Sequence, residues 1–319
     1  MEKTNPLYPC LFFCLYLSLV ACDLLLEMPP FYLVINADDM GASPTVNEAI
    51  RHAHEKGALT SASIMAGGDA FTGAVELARE LPRLSTGIHI TLCDGRSVLP
   101  KSKIPNLVDG ACYFEKSPAK AGFRYWRHWK KLSGQIEAEM EAQFDKLESA
   151  GITPSHADSH HHLHMHPLIF RLLSRMCAKR GVKWIRVTRE PIWAAIESAP
   201  KMAEWGVFSA LGRINSGYSG RLGIRSASCS IDLSRARSAK TGEGKADTDS
   251  CKAVLRFIKI PVGPVTELYC HPDAAAGRGR MEMERVGSAR LRQLIEEAGV
   301  KIAGFSELLS TGAEAMATN

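Results

Sequence analysis

Phe31-Tyr32-Leu33-Val34-Ile35-Asn36-Ala37-Asp38-Asp39-Met40-Gly41 decides how the rest of this chain is read. Phe31 to Asn36 is a short apolar run of β-branched and aromatic side chains, the pattern of a parallel strand buried on both faces. Two carboxylates follow at once. Ser43-Pro44 then signals a helix start, expected to run to about Lys56 and to stop at Gly57. A buried strand that ends in polar residues and hands over to a helix is the βα unit of α/β folds, whose sites lie at the strands' C-terminal ends.

The same rhythm continues outward. Leu59–Met65, Thr86–Leu92, Ile152–Asp158, Val182–Thr188, Val265–Cys270 and a short run at Val300–Ile302 read as strands. Gly73–Glu80, Ser133–Ala150, Pro167–Arg180, Ser288–Ala298 and the segment after Ile302 read as helices. About seven strands with crossover helices predict a (β/α) barrel, irregular and incompletely closed. Cys93–Pro118, rich in Gly, Pro and Asp, reads as a long functional loop over the strand ends. Residues 200–250 show weak periodicity and predict a poorly ordered insert.

Composition bounds the class. The chain has 319 residues, 45% hydrophobic and 23% charged, enough for one large core. The formal charge of +5 is too small to argue for nucleic acid. No two of the nine cysteines are separated by only two residues, and the six beyond residue 30 read as reduced thiols. Residues 1–27 read as a signal or lipoprotein-like segment, with Leu19-Val20-Ala21-Cys22 as the cleavage box, or as a mis-assigned start before Met28. Met28 is preferred, because free thiols suit the cytosol; a membrane anchor over Leu7–Leu26 ranks third. Residues 28–319 then form a single domain, cytoplasmic or associated with the inner membrane, with lipidation at Cys22 as the alternative.

Four strand ends carry chemistry. Asp38-Asp39 suits a turn or helix cap, yet adjacent carboxylates after a buried strand are costly unless a cation or proton offsets them. His89 lies on the strand face opposite Ile88 and Ile90, towards the barrel axis, although a lone strand histidine is commonly a satisfied core group. His160 to His166 holds five of the eleven histidines in seven positions. One catalytic ion takes about three protein ligands, so not all five can bind it, and His160 stands nearest the strand. A polar loop or a non-catalytic histidine-rich metal site is the competing reading. Cys270-His271-Pro272 brings another imidazole to the same face.

A carboxylate with two imidazoles suits Zn²⁺ or another divalent transition metal, Mg²⁺ being less expected at imidazole. Such an ion brings the pKa of its water to roughly 7 and polarises an amide or ester carbonyl. Asp38, off the ion, would accept the water's proton, and His271 would protonate the leaving nitrogen.

These motifs resemble those of the YdjC-like carbohydrate deacetylase family. Val34 to Gly41 is similar to its NADDFG motif, with Met40 in place of Phe; Gly87 to Leu92 is similar to its GLHLxL strand. Asp158 to His164 resembles its DSHHHxH segment and Cys270-His271-Pro272 its CHP. The resemblance implies a fold related to polysaccharide deacetylases and removal of an N-acetyl group from an acetylated amino sugar. It also implies one divalent ion, Mg²⁺ or Zn²⁺, held by Asp39, His89 and His160, with Asp38 as base. His162 and His164 are expected to serve substrate or to support the metal ligands, and Arg186 and Glu267 to touch substrate.

Gly95 to Pro100, Ile104 to Asp109 and Arg186 to Pro191 are similar to the hopanoid biosynthesis-associated deacetylase branch (HpnK), implying an N-acetylglucosaminyl hopanoid lipid as substrate. Residues 200–250 depart from that branch. Phe123 to Lys131 interleaves aromatic and basic residues, as a peripheral membrane segment does, or else packs its tryptophans on the barrel. A homodimer is left open. The rival activities are a metal-dependent phosphoesterase and a non-catalytic metal-binding protein.

Overall fold

The computed structural model describes residues 31–190, 202–235, 251, 254, 263–275 and 277–309. The signal-like segment 1–27 lies outside the described residues.

β1 spans Tyr32–Met40, longer than the apolar run, because the backbone stays extended through both aspartates. α1 (Pro44–Lys56) starts as its sequence requires: the Ser43 hydroxyl accepts from the Val46 N–H at 3.2 Å and Pro44 sits in the first turn. Next come β2 (Ser61–Ile64), α2 (Phe71–Glu80) and β3 (Ser85–Ile90). A long loop leads to α3 (Pro118–Arg127) and α4 (Trp129–Ser149), then β4 (His156–Ser159) and a 3₁₀ turn at His160–Met165. α5 (Pro167–Arg180) ends on Gly181, whose φ of 76° is adopted most readily by a residue without a side chain. β5 (Trp184–Ile185), α6 (Met202–Arg221), β6 (Cys229–Asp232) and β7 (Val265–Cys270) follow. The last elements are α7 (Arg278–Val286), α8 (Ala289–Glu297), β8 (Lys301–Ile302) and α9 (Phe305–Leu308).

All strand pairs are parallel, in the order β5-β4-β3-β2-β1-β7-β6, with β8 beside the start of β1. Parallel strands demand cover on both faces, which explains why β1, β2, β3 and β7 are almost wholly buried. The edges meet through single residues: Ile185 N–H donates to Arg225 O at 2.8 Å and Ser230 N–H to Arg189 O at 3.1 Å. The sheet is curled, but among the described residues no strand ladder joins β5 to β6, so it stays an incompletely closed barrel, as the βα rhythm predicts.

The long loop is pinned from below by α4. Buried Glu139 accepts from the Val98 and Leu99 N–H groups at 2.8 and 2.9 Å, and Gln143 pairs with both backbone groups of Thr91. The expected insert at 200–250 needs correction: α6 and β6 occupy much of it, and β6 is a full member of the sheet. Small residues on α6 weakened its periodicity; Gly212 lies against Val187 and Thr188. Residues 236–250 lie outside the described residues. The six cysteines beyond residue 30 are free thiols, and all but Cys112 are buried.

Two buried histidines set an acid limit. His156 packs on Phe305 with ring centroids 4.4 Å apart and fills the space where a Cβ on Gly87 would sit, 2.4 Å from its ring. His164 is wedged between Ser159 and the Arg186 carbonyl. Burial pulls both down to about 4. Their folded pKa values lie below the unfolded value, so the unfolded chain binds more protons between pH 6.5 and 4. Stability is present above pH 6.5 and is lost as pH falls through that window, by on the order of 3 kcal/mol for each histidine. Urea midpoints across pH 4–7 should fall with acid, and a flat profile would contradict neutral burial of these rings.

Candidate metal centre and active site

Successive side chains of a regular strand point to opposite faces, so Asp38 and Asp39 should diverge. They do not, because β1 breaks register with β2 between Ala37 and Met40 and Asp39 takes the left-handed conformation, φ 64°. This bulge turns both carboxylates to the strands' C-terminal end. Asp39 Oδ1 lies 2.7 Å from His160 Nδ1 and 3.1 Å from His89 Nε2.

β3 and β4 are in register at His89 and Asp158, which places the Asp158 carboxylate on His89 Nδ1 at 2.7 Å. The Ser63 hydroxyl donates to Asp158 Oδ2 at 3.0 Å. A carboxylate on the far nitrogen orients the ring and strengthens the near one as a ligand. His160 opens the turn after β4, and His161 and His162 carry the chain round at φ 53° each. Asp39, His161 and His162 are left-handed residues that only well-braced sites retain.

Beneath them lies one guanidinium with three carboxylates. Arg186 Nη1 and Nη2 donate to Asp38 Oδ2 and Oδ1 at 2.6 and 2.7 Å. Its Nη2 lies 2.9 Å from Asp158, and its Nε donates to Glu267 at 2.8 Å. Ser230 on β6 donates to the other Glu267 oxygen at 2.7 Å, and the Tyr269 ring lies 4.6 Å from the guanidinium. Asn36 also donates to Asp38 Oδ1 at 2.9 Å. Each carboxylate oxygen accepts about two bonds, so the acceptor left on Asp38 is on Oδ2. His271 Nε2 lies 3.8 Å from that oxygen.

Charge follows from this packing. Burial works against the Asp39 carboxylate, but hydrogen bonds from His160 and His89 outweigh it and hold the group well below the usual range. Burial likewise opposes a charged His89, yet Asp158 and Asp39 raise it well above 6.5. Burial is overcome by Asp158, Asp38 and Glu267 at Arg186, which stays charged. Glu267 is pushed up by burial.

The structure brings Asp39, His89 and His160 together, with one ligand atom from each lying within 4.8 Å of the others. The donor set, with His89 already oriented by Asp158, fits a divalent ion. Asp158 and Asp39 favour a proton on His89, and a divalent ion would compete with it for the ring. Metal binding is therefore expected to release about one proton and to tighten as pH rises towards the raised His89 value. Calorimetric titrations of Zn²⁺ in buffers of different ionisation heat should differ; equal heats would rule this out.

Substrate contact was expected of His162, His164, Arg186 and Glu267. Arg186 and Glu267 are 2% and 0% exposed and His164 is 0% exposed. Their polar atoms are used on protein groups, so they brace the site from below. His162 sits higher, its ring 4.9 Å from that of Tyr269. His161 faces solvent beside Asp94, at 3.1 Å.

Comparison with known proteins places this architecture. The model of the YdjC-like protein family matches residues 32–297. The chain belongs to the YdjC-like family. A carbohydrate deacetylase of Brevibacillus brevis is 28% identical over 290 residues, covering 86% of this chain and 99% of that protein. A carbohydrate deacetylase of Geobacillus stearothermophilus is 38% identical over 168 residues, covering 51% of this chain and 64%, less than two thirds, of that protein. Among solved structures, a candidate cellobiose-phosphate cleavage protein of Enterococcus faecalis superposes with a TM-score of 0.66 at 24% identity, covering 88% of this chain and 99% of that one. It shares the fold.

In this YdjC-like chain the residues that sequence reasoning left without a role are Asp158, Ser63, Asn36 and Ser230. Asp158 was visible as the acid two residues before His160. The serines carry no local signal, because their partners are 95 and 37 positions away.

Proposed function

We propose that this chain is a metal-dependent hydrolase that removes the N-acetyl group from an acetylated amino sugar. The observation that carries this reading is a division of labour at one strand end. Asp39, His89 and His160 bring their ligand atoms together, while Asp38, the residue before Asp39, is bonded by Arg186 and keeps a free acceptor on Oδ2. Asp39, His89 and His160 would hold a divalent ion, which would supply Lewis acidity to the acetyl carbonyl and to water. Asp38 Oδ2 takes a proton from the attacking water, whose oxygen bonds to the acetyl carbon. His271, half exposed at the rim, gives a proton to the sugar nitrogen as the C–N bond breaks, so acetate and a free amine leave. Arg186, bonded to both oxygens of Asp38, fixes its orientation.

The names of the relatives in Brevibacillus and Geobacillus support a carbohydrate substrate. The likeness of Gly95 to Pro100 and of Arg186 to Pro191 to the hopanoid-associated branch favours a lipid-linked glucosamine as the finer reading. A phosphoesterase is disfavoured because Arg186, the cation within the site, is already engaged by Asp38, Asp158 and Glu267. Acetate release from N,N′-diacetylchitobiose and from an N-acetylglucosaminyl lipid tests the proposal. Release should stop on chelation and return with Zn²⁺ or Mg²⁺. No release from either substrate by metal-loaded protein would refute it.

A further inference from the structure

Seven large apolar side chains stand exposed among the described residues, and four of them, Phe123, Trp126, Val207 and Ile214, lie on α3 and α6. Both helices pack against the turn that carries His160. Phe123 and Trp126 are 64% and 61% exposed, with ring centroids 5.9 Å apart. Two large rings side by side in water mark a surface that something covers. α3 buries only Ala121 and Tyr125, the latter donating to the Leu92 carbonyl at 2.7 Å, so its outer face has no partner within the described residues. Of the alternatives open to Phe123–Lys131, packing of tryptophan on the barrel describes Trp129, which contacts the core, but not Trp126.

Charge says what the partner is. From Lys116 to Ile136 there are six Lys and Arg and no Asp or Glu. The whole chain's surplus is +5, so this segment holds more positive charge than the entire molecule, and the remainder is slightly acidic. Lys120, Arg127 and Lys130 are exposed around the aromatic pair. Rings that are apolar on their faces, rimmed by long cationic side chains, match the headgroup region of an anionic bilayer.

We propose that α3 docks this chain on an anionic phospholipid bilayer, with Phe123 and Trp126 entering the interface and the cations on lipid headgroups. Gly122 brings α3 close to Leu163, three residues beyond His160, with a Cβ there lying 3.6 Å from the leucine. Docking therefore holds the strand ends near the membrane surface. That this serves a membrane-anchored amino sugar rests on the deacetylase reading; the docking itself does not.

The test uses the full chain and a readout local to α3, because the apolar stretch at residues 7–26 can itself meet lipid. Tryptophan fluorescence is followed with vesicles of brominated phosphatidylcholine, with and without phosphatidylglycerol. Quenching is expected with the anionic vesicles, and Trp126→Phe should remove most of the quenchable signal. Lys120→Glu, Arg127→Glu and Lys130→Glu together should lower α3-dependent quenching on the order of a hundredfold in lipid titration. Acetate release from soluble diacetylchitobiose should stay unchanged in every variant, which shows that the fold survives. Equal quenching in the wild type and Trp126→Phe would overturn the proposal. So would charge-independent quenching, or sedimentation showing that Phe123 and Trp126 are covered by a second copy of the chain. A wild type that docks yet releases no acetate from any sugar would refute the activity and leave the docking standing.

Discussion

Asp38→Asn is expected to lower acetate release by roughly 10²–10⁴-fold while bound metal stays unchanged. The amide keeps the size of the carboxylate but cannot take a proton from water. Its NH₂ group would also face one of the two Arg186 donors, so a loss of about 1–3 kcal/mol in stability is expected alongside. Turnover, metal analysis and urea midpoint must therefore be read together on the same preparation. His89→Ala provides the contrast, losing metal and turnover together, because it removes a ligand atom and leaves Asp158 without its imidazole partner. Full acetate release by folded, metal-loaded Asp38→Asn would remove Asp38 from the proposed role.

Arg186→Leu is expected to be the most destabilising single change in the site. It leaves Asp38, Asp158 and Glu267 buried with no guanidinium between them. Breaking a buried pair from one side costs about 3–5 kcal/mol, and here three carboxylates lose one cation. Such a loss approaches the whole stability of an ordinary domain, about 5–15 kcal/mol. Arg186→Lys should keep the fold in part, since one ammonium offsets some of the charge. It cannot bond both oxygens of Asp38 at once while also reaching Glu267, so turnover should fall further than stability. Urea denaturation gives the first quantity and kcat the second. An Arg186→Leu protein with an unchanged midpoint would show that the carboxylates are neutral or solvated, contrary to the packing described.

Arg186 also shows where reading the sequence stopped. It stood within the strand-like run Val182–Thr188, near its end, and looked like a group facing substrate. Whether an arginine at such a place faces outward or inward depends on what other strands bring beneath it. Asp38, Asp158 and Glu267 come from β1, β4 and β7, as far as 148 positions away in the chain. The same holds for α6, whose small residues hid its periodicity while its packing against Val187 and Thr188 keeps it in place.

The metal site was legible because its members are local events at strand ends. An apolar run that stops at two acids, an isoleucine strand interrupted by His89, and a histidine cluster after Asp158 each mark a place where a buried strand meets polar chemistry. With parallel strands, those ends share one rim, so motifs far apart in the sequence belong to one site. Alternation alone, however, sends Asp38 and Asp39 to opposite faces. The left-handed turn at Asp39 and the bulge against β2 depend on packing between strands, and they bring the second carboxylate back to the rim. By itself the sequence determined that this chain is a parallel βα fold with an acid–histidine rim. Tertiary structure alone decided which aspartate faces the imidazoles and which is held by arginine, because burial and register are properties of neighbours that the sequence does not place side by side.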